Sequence, residues 1–147
     1  MAGAAQHPGA AVRTGAALLG TGALHLLFPR PFDGLIPRVL PGPPRAWTLG
    51  SGIVELGVGA LLLHPRTRRA GGWAAAALFV AVWPGNLTMA WRARSASPAR
   101  KAVAWGRLPL QLPLIAVAVR IARSPRARAP VPPGGFAFGN TQVPFLR

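Results

Sequence analysis

Four apolar segments of the sequence are each long enough to cross a lipid bilayer. They cover residues 12–28, 46–63, 70–91 and 102–121, and Pro-rich or basic connectors separate them. A transmembrane helix needs about 20 predominantly apolar residues, with a range of about 17–25. Backbone polar groups in hydrocarbon must pair within their own segment, so we expect helices rather than strands. The sequence therefore predicts an all-α fold, a four-transmembrane-helix antiparallel bundle.

The two ends of the chain lack this pattern. Residues 1–11 are small and polar, and residues 122–147 are rich in Arg and Pro without helical periodicity. We expect both to be disordered, as a lead and a basic tail around a membrane domain at 12–121. Arg13 precedes the first apolar segment as it would in a cleaved signal peptide, but no small-x-small cleavage site follows, so a membrane helix is favoured.

The first connector is the most proline-rich stretch between two segments. Six prolines between residues 29 and 45 exclude a continuous helix there, and the apolar residues among them predict a short piece lying on the membrane. Asp33, one of only two acidic residues, is interpreted as a local N-cap of that piece, with a role in a site as the alternative.

The charge of the chain points to a lipid surface. Seventeen Lys and Arg against two acids give a formal net charge of +15, and nearly all the basic residues lie beside or between the apolar segments. Each such residue gains roughly 1 kcal/mol near anionic lipid. Nucleic-acid modules instead combine a basic patch with stacking aromatics, whereas the aromatics here lie mostly in the apolar segments. The predicted partners are the bilayer and anionic lipid headgroups, and not nucleic acid.

The missing residue types exclude several kinds of chemistry. The chain has no cysteine, which excludes a thiolate nucleophile, a CxxC pair and cysteine-ligated clusters. Its three histidines are too dispersed in the sequence to form a zinc or haem site, so we expect no metal. Redox chemistry would require a bound cofactor or substrate, for which the protein supplies binding and proton handling.

Glu55 is the most unusual residue of the apolar segments. A carboxylate in hydrocarbon costs at least about 2.5 kcal/mol on insertion scales, so such a residue is retained for a partner or a function. It shares a helix face with Ser51 and Gly59, spaced by four, and these small neighbours let another helix approach closely. On the first segment, Gly22 and His25 lie on a similarly small face.

Five polar residues of the four segments are expected at similar depths in the membrane. At 1.5 Å per residue, His25 lies about 5 Å inside its helix end, Asn86 and Arg107 about 7 Å, and Glu55 and Gln111 about 13 Å. All five fall in the half of the bilayer that the first and third connectors face. We therefore expect one polar pocket between the helices, with Glu55 paired to Arg107.

The distribution of basic residues predicts an orientation. The N-terminal segment, the second connector and the C-terminal tail together hold nine basic residues, against seven in the first and third connectors. By the positive-inside rule, the termini are expected in the cytoplasm of a multi-pass protein, which we assign to a bacterial cell membrane.

Five motif blocks in order resemble the signature of DoxX-like membrane proteins. They lie at 22–29 (GALHLLFP), 36–37 with 40–41 (IP and LP), 51–55 (SGIVE), 83–89 (WPGNLTM) and 107–111 (RLPLQ). The resemblance extends over about residues 13–121. It implies a four-helix membrane bundle and a redox or membrane-stress role, in a family named for a subunit of a thiosulfate:quinone oxidoreductase. The motif positions correspond to His25, Glu55, Asn86, Arg107 and Gln111. Without cysteine, no thiol relay can be transferred to this chain.

Two classes of function follow from these observations. In the first, the chain is a subunit of a membrane oxidoreductase with a redox partner subunit: Glu55 and His25 handle protons, and Arg107, Asn86, Gln111 and Ser51 line a pocket for a quinone-like or other lipophilic molecule. In the second, it is a non-catalytic membrane module that binds lipid or scaffolds a partner protein, with the same residues as structural contacts. A transporter fits less well, because no inverted repeat is visible.

Overall fold

A computed structural model describes residues 8–124, and every regular element in that part of the chain is helical. The helices are α1 (Pro8–Leu27), α2 (Arg30–Asp33), α3 (Pro44–Leu63), α4 (Arg68–Ala81), α5 (Trp83–Arg92) and α6 (Pro98–Arg123), with a 3₁₀ turn at Ala93–Ser95. Proline occupies the first turn of α3, α5 and α6, where its missing N–H leaves no helix bond unmade. The predicted all-α fold is confirmed.

Four helical stretches are long and apolar enough to cross a membrane. They are Pro8–Leu27, Pro44–Leu63, Arg68–Ser95 and Pro98–Arg123. The helices overrun the predicted segments at most ends, so residues 8–11, expected in a disordered lead, belong to α1, and residues 122 and 123 to α6. The rest of the predicted lead and tail, residues 1–7 and 125–147, lies outside the described residues. The protein is thus compatible with the predicted integral membrane bundle.

The four long stretches form a closed ring. α1 packs mainly on the antiparallel α3, and α4 packs mainly on α6, while contacts of α3 with α4 and of α1 with α6 close the bundle. The buried apolar core includes Leu18, Val58, Leu62, Phe79 and Ile121. α5 continues α4 and packs on α6, so the ring has two halves: α1 with α3, and α4–α5 with α6.

Glycine pairs bring α1 and α3 into backbone contact. A Cβ atom at Gly22 would lie 2.8 Å from the carbonyl oxygen of Gly52, and a Cβ at Gly59 would lie 2.9 Å from that of Gly15. Small residues at such positions let helix backbones approach closely and make weak Cα–H contacts to carbonyl oxygens. This confirms the predicted close approach at the face that carries Glu55.

The other half of the bundle also uses glycine, but at the opposite membrane surface. A Cβ at Gly72 would lie 2.8 Å from the Cα of Ala122, so α4 and α6 approach closely there. Arg69 Nε donates a hydrogen bond to the Ala122 carbonyl at 3.2 Å, and Arg68 Nε donates to Leu62 O at 3.2 Å. These arginines satisfy carbonyls at helix ends, which have no partner within their own helix.

The connector between α1 and α3 is held by side chains of α3. Arg45 Nε donates to Asp33 Oδ2 at 2.9 Å, and Trp47 Nε1 donates to Pro41 O at 2.8 Å. Gly42 has φ of 81°, a left-handed conformation that suits glycine. The predicted N-cap role of Asp33 is wrong: Asp33 is the last residue of α2, and its carboxylate is the ion-pair partner of Arg45.

Candidate functional site

A histidine and a glutamate from neighbouring helices meet at the glycine contact. His25 Nδ1 of α1 lies 3.1 Å from Glu55 Oε1 of α3, and their side chains are 15% and 7% exposed. A Cβ at Gly52 would lie 2.9 Å from the Cβ of His25, so the glycine makes the room that His25 occupies. The close approach of the two backbones therefore positions the His25–Glu55 pair.

One carboxylate oxygen of Glu55 accepts a hydrogen bond and the other has no hydrogen-bond partner within the described residues. Ser51 Oγ donates a hydrogen bond to Oε1 at 3.0 Å, one turn earlier on α3. Oε2 is buried and has no hydrogen-bond partner within the described residues, and His25 Nδ1 faces Oε1 without the alignment of a hydrogen bond. A buried polar atom without a partner is costly, so Oε2 is a site where a donor group of another molecule would be stabilised.

Phe32 ties the pair to the connector. Its ring lies edge-on to the His25 ring, with centroids 4.0 Å apart and planes at 85°. His25 lies two residues from the end of α1, only about 3 Å along the helix axis from that end. The pair thus lies between α1 and α3 on the side of the bundle that carries α2, and His25 is its more accessible member.

The predicted ion pair between Glu55 and Arg107 is wrong. Glu55 pairs with His25, while Arg107 is exposed on α6 and makes no ion pair or hydrogen bond within residues 8–124. A long, flexible arginine side chain can extend its charged group away from the helix contacts and towards the membrane surface. A similar depth of Glu55 and Arg107 in the membrane does not determine the direction in which the Arg107 side chain points.

Asn86 and Gln111 form a separate polar contact in the other half of the bundle. Asn86 Nδ2 donates a hydrogen bond to Gln111 Oε1 at 3.1 Å, and Gln111 Nε2 donates to the carbonyl of Phe79. Gln111 is only 3% exposed. The Phe79 carbonyl lies just before the junction of α4 and α5, where Pro84 supplies no N–H to the helix ladder. The contact joins α6 to that junction.

The six predicted site residues therefore fall into three groups. His25, Glu55 and Ser51 meet at the α1–α3 contact, Asn86 and Gln111 meet at the α4–α5–α6 contact, and Arg107 is exposed. No hydrogen bond or ion pair among residues 8–124 joins the first two groups. The expectation that all of them line one pocket is not met by these contacts.

Some residues at these contacts were not singled out by the sequence. Thr48 is 1% exposed and lies two turns before Glu55 on α3, so the same spacing that selected Ser51 also indicates Thr48. Its hydroxyl donates to Pro44 O at 3.3 Å. Phe32 lies in a connector without periodicity, and a carbonyl such as that of Phe79 has no sequence signal at all.

Asp33 is an acidic group at the surface above the pair. Partial burial raises the pKa of this carboxyl, but the Thr48 hydroxyl and the Arg45 guanidinium stabilise its charged form more, so the pKa lies below its ordinary value of 3.8. Asp33 is therefore ionised at neutral pH. It keeps the connector docked on α3 through a charge that does not change near neutrality.

The described residues offer no metal centre. Among residues 8–124, no three His, Cys, Asp or Glu side chains are grouped closely enough to hold a metal ion. What the described groups can do is hold and pass a proton: an imidazole and a carboxylate 3.1 Å apart, with a hydroxyl on the carboxylate.

The sequence also matches a protein family. Residues 14–122 match the family model described as Domain of unknown function (DUF8561). Neither a curated protein nor a solved structure matches the sequence at a significant level. The matched range begins within α1 and ends within α6, so it covers most of the first and fourth membrane-length stretches, all of the second and third, and both polar contacts.

Proposed function

The chain belongs to the DUF8561 family, and we propose that it is a membrane subunit of an oxidoreductase whose His25–Glu55 pair exchanges protons with a quinone-like molecule. The observation that carries the proposal is the buried pair itself, with imidazole and carboxylate 3.1 Å apart between α1 and α3. An ionisable group inside a membrane segment marks a functional site by default. The DoxX-like motif blocks support the same role, because both members of the pair lie in those blocks.

The unpartnered oxygen of Glu55 supports a ligand that donates a hydrogen bond. A quinol hydroxyl is such a donor, and a quinol reaches the protein from the lipid phase. When the quinol loses two electrons and two protons, the electrons go to a redox partner subunit. Glu55 accepts the two hydroxyl protons one after the other, and His25, nearer the membrane surface, passes each of them to water.

The proposed setting follows the sequence. We place the protein in a bacterial cell membrane with its termini in the cytoplasm, which puts the His25–Glu55 pair near the opposite surface. Protons released there would enter the aqueous phase on the side of the membrane opposite the termini. Anionic lipid and a redox subunit are the proposed partners.

One observation favours the alternative function, a non-catalytic module that binds lipid or scaffolds a partner protein. The two polar contacts also join helices: Gln111 bonds both Asn86 and Phe79, and His25 with Glu55 lies on the glycine contact. Polar contacts between membrane helices serve as structural links, each worth about 0.6 kcal/mol on average. In this alternative, the pair fixes the register of α1 on α3 and does no chemistry.

The variant Glu55→Gln distinguishes the two functions, because only the first requires Glu55 to take up a proton. This variant keeps the shape and the hydrogen bond from Ser51 but cannot take up a proton. The protein would be purified in mild detergent and its bound lipophilic molecules identified by mass spectrometry. Quinol oxidation would then be measured in proteoliposomes with an artificial electron acceptor in place of the partner subunit. Asp33→Asn is the matched control, because it removes the other acidic residue from outside the membrane core.

The expected result is loss of quinol oxidation in Glu55→Gln by at least about a hundredfold, the usual contribution of a general base. Asp33→Asn should keep wild-type activity, and both variants should elute as folded protein. Full activity in Glu55→Gln would refute the proton role. A wild-type protein that neither binds nor oxidises a quinol would leave the module as the better account.

A further inference from the structure

A groove opens beside the last turn of α5 and the first turns of α6. Its volume is about 520 Å³, within the range of small-molecule sites. Its walls are apolar or small, apart from two arginines: the lining residues are Leu35, Met89, Arg92, Ala93, Ala96, Ala99, Arg100 and Val103. None of them belongs to the His25–Glu55 pair or to the Asn86–Gln111 contact. The groove is a feature that the proposed function does not use.

The lengths of the helices place this groove at the membrane surface. α6 has 26 residues, and the stretch Arg68–Ser95 has 28. At 1.5 Å per residue these measure about 39 and 42 Å, whereas the hydrocarbon core is about 30 Å thick. The final turn of one and the first turn of the other therefore extend to the lipid headgroups, where the groove lies.

The two arginines give the groove its charge. Arg92 donates one hydrogen bond to the carbonyl of Gly34, which fixes it against the first connector and leaves its other N–H groups available. Arg100 makes no hydrogen bond or ion pair within residues 8–124. No acidic side chain lines the groove. A phosphate group complements two guanidinium groups in charge and in hydrogen-bonding geometry.

The apolar walls indicate what the phosphate is attached to. Leu35, Met89 and Val103 line the groove on three different elements, the first connector, α5 and α6, and small alanines lie between them. A free phosphate would gain nothing from such walls, whereas burying a hydrocarbon chain stabilises binding by about 0.8 kcal/mol per CH₂. From the charge and the walls together, we infer that the groove is a site for an anionic phospholipid, with its phosphate at Arg92 and Arg100.

The N-terminus of α6, where Ala99 and Arg100 line the groove, adds a smaller contribution. The side chain of the N-terminal flanking residue Ser97 makes no capping hydrogen bond to α6. N–H groups and the helix dipole at such an end favour an anion nearby. The bound lipid would bridge the first connector, α5 and α6, and so hold the surface above the polar contacts.

The experiment is native mass spectrometry of the full chain released from detergent, titrated with phosphatidylglycerol. Arg92→Gln and Arg100→Gln remove the two groove charges one at a time. Arg94→Gln is the matched control: it removes the same charge from the same turn, but Arg94 does not line the groove and stacks on Trp91 at 4.7 Å instead. Ala99→Trp fills the groove without changing charge.

We expect each groove arginine variant to lower the affinity for phosphatidylglycerol about tenfold, the worth of a charge-assisted hydrogen bond. Arg94→Gln should lower it about twofold or less, and Ala99→Trp should abolish the tight site. Phosphatidylcholine should bind more weakly than phosphatidylglycerol, and inorganic phosphate should not displace the lipid.

Any of three results would overturn the inference. Equal losses in Arg94→Gln and in the groove variants would mean attraction to the whole basic surface rather than a site. Unchanged affinity in Ala99→Trp, with the variant folded as judged by its thermal unfolding, would mean that the lipid does not enter the groove. Displacement by inorganic phosphate would assign the arginines to a free anion. None of these results depends on quinol oxidation. The lipid site is therefore tested independently of the proposed function.

Discussion

Both halves of the bundle pack their helices closely at glycine residues, but they bury different polar side chains. Both bring helices together at glycine, α1 with α3 through Gly22 and Gly52, and α4 with α6 through Gly72. The first half places a titratable pair at its contact, and the second places two neutral amides at the α4–α5 junction. The helices pack closely in both halves, but only the α1–α3 contact contains side chains that could exchange a proton.

The largest effect is expected from crowding the α1–α3 contact. Gly22→Ala and Gly52→Ala each place a methyl group within 3.0 Å of the opposing backbone, and overpacking of this kind costs about 1–3 kcal/mol. Gly20→Ala and Gly50→Ala are the controls, because these glycines have no atom within 4 Å of the added Cβ. Unfolding in mixed micelles would measure the difference. Equal stability of contact and control variants would contradict the packing described here.

A smaller loss is expected from the amide contact in the other half. Gln111→Leu leaves the Asn86 side chain and the Phe79 carbonyl without their partner, at a cost of about 1–2 kcal/mol. Asn86→Leu breaks one hydrogen bond and should cost less. The same unfolding assay measures both. If Asn86→Leu were the more damaging variant, Gln111 would not be the central member of the contact.

Ser51→Ala sharpens the comparison at the titratable pair. It removes the hydrogen bond to Glu55 but keeps the carboxylate and His25, so stability should fall by about 1 kcal/mol. Quinol oxidation should slow by less than about tenfold, in contrast to its loss in Glu55→Gln. Complete loss of activity in Ser51→Ala, with the protein folded, would assign the hydroxyl a more direct part than support of Glu55.

The smallest effect concerns the connector above the pair. Because the folded pKa of Asp33 lies below 3.8, its ion pair with Arg45 contributes stability above that pH, and the contribution is lost as pH falls through the lowered pKa. The midpoint temperature of thermal unfolding should therefore be higher for wild type than for Asp33→Asn near neutral pH. The difference should disappear in strong acid. A difference that persisted in acid would show another role for the side chain.

The fold was readable from the sequence because the bilayer constrains it so strongly. Four apolar segments of spanning length permit little except a helical bundle, and the spacing of Gly22 with His25 and of Ser51 with Glu55 indicated which face of each helix is small enough for close packing. Prolines at 98 and 44 explain the early helix starts, since proline favours the first turn.

The partners within the site were harder to predict. Residues at one depth can lie on different sides of a bundle, and the sequence does not say which helices are neighbours. Depth therefore grouped Glu55 with Arg107 and Gln111, whereas helix adjacency pairs Glu55 with His25 and Gln111 with Asn86. Long side chains add conformational freedom that the sequence does not specify. The guanidinium of Arg107 can extend towards the membrane surface from a backbone position deeper in the bilayer.

Infrared difference spectroscopy during quinone reduction would show whether Glu55 takes up a proton. The wild-type protein would be reconstituted with a short-chain quinone, and the spectrum recorded as the quinone is reduced and reoxidised electrochemically. If Glu55 exchanges protons with the quinone, we expect a carboxyl C=O band that changes with the redox state of the quinone, is absent in Glu55→Gln and remains in Asp33→Asn. Identical spectra for wild type and Glu55→Gln would contradict this proton exchange.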